Sequence, residues 1–153
     1  MGSNEVSARA AQSARSLLLL DTHVVLWATF DETRLGRQAA KSINIASHED
    51  RLAVSAITPW EIGLLASKKR INLHKDVLEW TREALAKPGV NFTPLSPEIA
   101  VASSSLPFDM HADPADRILV ATARHLGATL VTADGPLLDL ARLGHLLALD
   151  ASK

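Results

Sequence analysis

Cysteine is absent from the 153 residues, which excludes disulfides, thiolate metal sites and a cysteine nucleophile. A chain without thiols fits a reducing cytoplasm, and a cytoplasmic location is the expectation. Charge of one sign is not in excess either. Sixteen Lys and Arg stand against seventeen Asp and Glu, a net charge of −1, so no global basic field advertises a nucleic-acid partner. No apolar run approaches the roughly 20 residues that span a bilayer, and no membrane association is expected. Leu17 to Leu20 is too short for the apolar region of a signal peptide. The sequence contains no GxGxxG, Walker A or GxSxG motif, which leaves dinucleotide, NTP and serine-hydrolase readings unsupported. Its six histidines include no HExxH pair, so no zinc site of that kind is set up. Internal repeats and low-complexity stretches are missing too.

What is present is ordinary in bulk: 47% apolar and 22% charged residues, in a length that suits one domain with a sizeable core. Residues 1–16, rich in Ala, Ser and Arg, read as a flexible arm or leader outside a domain spanning 17–150. Short apolar runs ending at Leu20, Ser55, Leu95, Thr132 and Leu149 read as strands, and helices or helix pairs fall between them. That alternation predicts an α/β fold, a three-layer α/β/α arrangement around a central parallel sheet of Rossmann-like topology. One helix start is unusually well marked. Thr58 fits an N-cap, Pro59 the first helical position and Glu61 the reciprocal partner of a capping box.

Four acids stand where helices begin: Asp21, Glu61, Asp116 and Asp134. Each has a structural explanation, since a capping carboxylate stabilises a helix by about 1 kcal/mol. Asp113, before Pro114, fits an N-cap in the same way. Taken jointly, the acids say more. Helices that follow parallel strands begin at one edge of the sheet, so Asp21, Glu61 and Asp134 are expected to share it. Asp116 joins them if its helix packs in the same direction. Clustered carboxylates raise one another's pKa unless a cation offsets them, and hard oxygen ligands suit Mg²⁺ or Mn²⁺.

The segments LLLLDTHVVLW, AVSAITPWEIGLL, LPFDMHADPADRILVATA and TLVTADGPL, in this order, resemble the PIN-domain family, specifically VapC-type toxin ribonucleases. The resemblance covers about residues 17–150. It implies a nuclease that cuts single-stranded RNA using one or two Mg²⁺ or Mn²⁺ ions; water activated on such an ion is expected to leave a 5′-phosphate and a 3′-hydroxyl. It also implies a homodimer and a cognate antitoxin protein that neutralises the toxin. On the matching positions, Asp21, Glu61, Asp116 and Asp134 are the metal-binding catalytic acids and Thr22 is the supporting hydroxyl. Asp113 belongs to a subgroup pattern, His-x-Asp-Pro, and is expected to cap or support rather than bind metal.

His111 and His23 are candidate pocket residues, and Arg117 a candidate contact for RNA phosphate. Lys68, Lys69 and Arg70 are expected on a solvated face; Trp27 and Trp60 are expected in the core or a dimer contact. An aspartyl-phosphate enzyme would want a second acid two residues after Asp21, where His23 stands. Two other readings remain open on the residues alone: a structure-specific DNA nuclease, and a non-catalytic PIN-like module that binds a partner.

Overall fold

Three consecutive leucines, Leu18–Leu20, form the central strand β1, and all three are buried. The computed structural model describes residues 16–153, so the expected N-terminal arm lies almost wholly outside the described residues. From β1 the chain runs through α1 (Thr22–Phe30), a 3-10 turn (Glu32–Arg34), α2 (Arg37–His48), β2 (Leu52–Ser55), α3 (Ile57–Ser67) and α4 (Val77–Leu85). Then come β3 (Val90–Thr93), α5 (Pro97–Ser104), α6 (Pro114–Leu126), β4 (Thr129–Thr132), α7 (Gly135–Arg142) and β5 (Leu147–Asp150). The five strands are all parallel, in the order β3-β2-β1-β4-β5. The expected α/β/α fold with a central parallel sheet is the fold observed.

Strand residues alternate between the two faces with period two. Leu18, Leu20, Leu52, Val54 and Val131 join Val24, Val25, Ile62 and Trp80 in one core. Leu19, Ala53 and Leu130 face the other way, onto Leu119, Val120 and Ala123 of α6 and Leu137 and Leu140 of α7. A strand covered on both faces must be apolar throughout, which is why β1 and most of β4 read as continuous runs. The edge strand β3 is only partly buried, and it ends at Thr93 rather than at the expected Leu95.

The chain first builds outward from β1 through β2 to β3, then returns to place β4 on the other side of β1. The strand order therefore reverses between β1 and β4, and a crevice opens there at the carboxyl ends of the strands.

Local chemistry sets the helix ends. Asp76, Ser96, Asp113 and Asp134 each accept a backbone amide hydrogen bond at an N-cap. Gly127 adopts the left-handed conformation (φ 61°) that closes α6, and the Ala128 amide bonds back to the Ala123 carbonyl at 2.9 Å. Helix α2 has no side-chain cap; the Lys153 carbonyl accepts from the Gln38 and Ala39 amides instead. That approach requires glycine at 36, where a Cβ would lie 2.0 Å from the Lys153 oxygen.

The capping box expected at Thr58 does not form. Helix α3 starts two residues earlier than expected, at Ile57, directly out of β2, and the Ser55 hydroxyl takes the Ile57 amide at 3.1 Å. Thr58 is buried inside the first turn, which releases both Thr58 and Glu61 for other partners. Among the described residues no helix is long and apolar enough to cross a membrane.

Leu130 sits in β4 with no solvent exposure, packed against α6 and α7. Leu130→Ala is expected to lower unfolding free energy by about 2–5 kcal/mol. Urea denaturation should read this as an earlier midpoint with unchanged m-value.

Candidate active site

Asp21 leaves β1 in an extended conformation (φ −62°, ψ 155°) and caps α1. Its side chain is almost wholly out of water, so each oxygen needs a donor. Oδ1 accepts the Thr22 amide at 2.7 Å, and Oδ2 accepts the Thr132 hydroxyl at 2.8 Å. Thr132 ends β4, the strand beside β1. Its Oγ1 also accepts the Asp134 amide at 3.0 Å. One hydroxyl thus links Asp21 to the start of α7, which Asp134 caps by accepting the Leu137 amide at 3.2 Å.

Thr22 performs the matching task toward β2. Its hydroxyl donates to Glu61 Oε1 at 2.6 Å and lies 3.1 Å from the Thr58 hydroxyl. Since the Thr22 proton goes to the carboxylate, Thr58 is the donor in the second bond. Glu61 therefore points from α3 toward α1.

His23 lies over the same crevice. Its Nε2 accepts the Ala133 amide at 2.9 Å, so the ring proton is on Nδ1, which faces Asp21 Oδ2 at 3.6 Å. The imidazole sits 5.0 Å from the Trp27 ring, and the Arg34 guanidinium covers Trp27 at 4.6 Å.

The fourth acid comes from α6. Asp113 caps this helix through the Ala115 amide at 3.0 Å, and Asp116 occupies its first turn. His111 Nδ1 accepts the Asp113 amide at 3.3 Å, which leaves the proton on Nε2, 3.3 Å from Asp116 Oδ2. Here His111 supports a carboxylate by hydrogen bonding. One potential ligand atom each from His111, Asp116 and Asp134 lies within 4.8 Å of the others.

All four acids singled out in the sequence, Asp21, Glu61, Asp116 and Asp134, line one pocket of about 150 Å³ together with Thr22, His23, Leu26 and Leu65. Helix α6 does begin at the shared edge, which the sequence left open. Burial pushes the Asp116 carboxyl up to about 7, and the charges of Asp21, Asp113, Asp134 and Glu61 add to the rise. Glu61 is raised first by burial and then by Asp21 and Asp113, against the lowering hydrogen bond from Thr22. Asp21 is raised by burial despite His23, Thr132 and the Thr22 amide. A pocket that resists its own ionisation is an electrostatic demand for a cation.

Other expected residues fall elsewhere. Arg117 does not line the pocket. It donates through Nε to the Ser103 carbonyl at 2.9 Å and through a terminal nitrogen to Met110 at 3.3 Å, bracing the loop before α6. Trp60 is 56% exposed rather than in the core, and Lys68, Lys69 and Arg70 lie exposed beyond α3. Thr132 carries no expectation from the sequence, and Thr58, expected as a helix cap, instead supports Thr22. A hydroxyl at the buried end of an apolar strand, just before Ala133-Asp134, was the available signal, because such a group must find a partner.

The fold and this pocket define a parallel α/β protein with a carboxylate cluster at the switch point of its sheet. A family model of the PIN domain matches residues 18–143. Ribonuclease VapC22 of Mycobacterium tuberculosis is 39% identical over 117 residues, covering 76% of this chain and 86% of that protein. The chain belongs to the PIN domain family. Among solved structures, DNA-bound VapBC from Salmonella typhimurium superposes with a TM-score of 0.64 at 14% identity, covering 88% of this chain and 98% of that one. A toxin–antitoxin complex from Klebsiella pneumoniae gives 0.54 at 25% identity, with coverage of 88% and 97%.

The Asp116 shift carries a sign. A carboxyl whose pKa is raised on folding contributes stability that is complete below its unfolded value and lost as pH rises through the folded one. For Asp116 that window runs from 3.8 to about 7. In EDTA, the melting temperature of Asp116→Asn relative to the unsubstituted protein should therefore climb across this range and level off above it. A difference that is flat with pH would contradict the assignment.

Proposed function

We propose that this protein is a metal-dependent endoribonuclease that cuts single-stranded RNA, and that it is the toxin of a cytoplasmic toxin–antitoxin pair. The observation that carries the reading is the convergence of four carboxylates from α1, α3, α6 and α7 in one pocket. The relative at 39% identity is named a ribonuclease, and the solved neighbours include a toxin–antitoxin complex, which supports an antitoxin as partner. A homodimer accords with the family.

The donor set fits a hard divalent cation. Its four acids offer carboxylate oxygens in a pocket whose own charges oppose full ionisation, while the nearby His111 nitrogen hydrogen-bonds Asp116. Asp21, Glu61, Asp116 and Asp134 would hold Mg²⁺ or Mn²⁺. When bound, such an ion neutralises the phosphodiester and activates water for attack on phosphorus.

The chain's own residues supply positioning. Thr132 fixes Asp21 against β4, and Thr22, held by Thr58, turns Glu61 inward. His23 ties the Ala133 amide to α1, so the segment between β4 and α7 keeps Asp134 at the rim. Asp113 starts α6 at the height that brings Asp116 to the cluster.

Cleavage of end-labelled single-stranded RNA with Mg²⁺ or Mn²⁺ tests this reading. Asp21→Asn should lower the rate by at least about a hundredfold, since partners of metal ligands alone cost about 10–100-fold. EDTA should abolish cutting, and the product should carry a 5′-phosphate; a 2′,3′-cyclic phosphate, or full activity in EDTA, would sink the mechanism. Thr22→Val removes only the hydroxyl that orients Glu61. It should cost about 10–100-fold in metal affinity or rate with the fold intact by circular dichroism.

A further inference from the structure

A second cavity, of about 250 Å³, opens between the loop before α6 and helix α7. It adjoins the acid pocket. His111, which bonds Asp116, also lines this cavity, and Pro136 stands two residues beyond Asp134. Its floor is apolar, made by the buried Leu137 and Leu140, and its sides are Met110 and Pro136. Pockets for drug-sized ligands run to roughly 300–1,000 Å³, so this one suits a single flat heterocycle rather than a whole nucleotide.

The polar groups at its rim have a definite bias. Besides His111 they are two exposed aspartates, Asp109 and Asp139. Asp139 is paired with Arg142. Asp109 has no hydrogen-bond or ion-pair partner among the described residues. An ionised carboxylate only accepts hydrogen bonds. Guanine is the base whose pairing edge presents two adjacent donors, the ring N1–H and the exocyclic amine, and a carboxylate accepts both at once. Uracil sets carbonyl oxygens on either side of its one donor, and those repel the same carboxylate. Adenine and cytosine offer an amine with a bare ring nitrogen beside it.

The loop that carries Asp109 is held in place. Arg117 donates to the carbonyls of Ser103 and Met110, which ties the segment between α5 and α6 to the helix bearing Asp116. Recognition and chemistry would then share one rigid support.

We propose that this cavity is a base-specificity subsite that takes an unstacked guanine of single-stranded RNA, with Asp109 reading its pairing edge. Sequence-specific recognition of RNA works on splayed single-stranded bases in this manner. The inference rests on the nuclease reading of the neighbouring acids for its RNA, but the binding event is independent of cleavage. An arginine side chain from a protein partner would also meet the carboxylates. The apolar floor and the His111–Asp116 contact that links the cavity to the acids favour a planar base carried on the same strand as the bound phosphate.

The test has two arms. In the first, ¹H–¹⁵N spectra of the protein with Mg²⁺ are titrated with GMP, AMP, CMP and UMP. GMP should shift the Met110, Leu137 and Leu140 amides with an affinity on the order of tenfold above the others, the discrimination expected of one bidentate contact. Asp109→Asn should bring the four nucleotides close to parity while keeping its melting temperature. In the second arm, cleavage is compared for oligonucleotides that differ only in which base occupies each position around the cut. One position should favour guanine by a similar factor, and the ratio should collapse in Asp109→Asn.

Equal binding of all four nucleotides, or a guanine preference that survives Asp109→Asn, overturns the subsite even if RNA is cut. GMP binding at these residues without cleavage of any RNA upholds the subsite and removes the nuclease reading instead. Shifts produced by a guanidinium compound but by no nucleotide overturn it in favour of a protein partner's arginine.

Discussion

The Thr132 hydroxyl, donating to Asp21 and accepting from the Asp134 amide, is the contact through which the crevice between β1 and β4 holds its shape. A carboxylate as deeply buried as Asp21 survives only where donors replace its lost water, and here they come from the end of β4 and the start of α1. The same hydroxyl also fixes where α7 begins. Thr22 repeats the device on the other side of β1, drawing Glu61 across from α3. Burial of like charge still displaces Asp21 and Glu61 toward neutrality, and Asp116 up to about 7. The supporting shell lowers the cost of assembling the acids without satisfying them fully.

Capping and convergence are one arrangement in this protein. Asp21, Asp113 and Asp134 each accept a first-turn amide, as carboxylates at helix starts do. Because the strands are parallel, the starts of α1 and α7 fall on a common edge, and the packing of α6 brings its first turn to the same place. A residue selected to begin a helix is in this way already placed for a second task. Glu61 is the exception. It caps nothing, and its orientation depends on side-chain hydroxyls alone.

The sequence was most legible where burial on both faces forced continuous apolar runs, as in β1 and β4, and where Pro and Gly punctuate a helix, as at Pro114 and Gly127. It was least legible where two residues compete for one role. Ser55 closed the first turn of α3, so the Thr58 signal, sound in itself, described a box that never forms. Strand β3 ends two residues before the expected Leu95, because an edge strand needs less apolar sequence. The convergence of Asp116 depended on how α6 packs, a tertiary fact that spacing does not encode. Arg117 and Trp60 show the same limit for side-chain direction. A basic residue beside an acid was expected to meet substrate and instead braces a loop, while of the two places expected for Trp60, core or dimer contact, its exposure removes the core.

The contact between His23 and Trp27 carries a practical consequence. Indole emission responds to an adjacent imidazole, and this imidazole hangs over Asp21 with its other nitrogen tied to the Ala133 amide. Whatever settles among the carboxylates and shifts that ring alters the surroundings of one tryptophan. Trp80, stacked on Phe30, and the solvent-facing Trp60 lie outside the pocket's lining. The crevice thus comes with a native optical probe, and its occupancy can be followed by light without attaching a label.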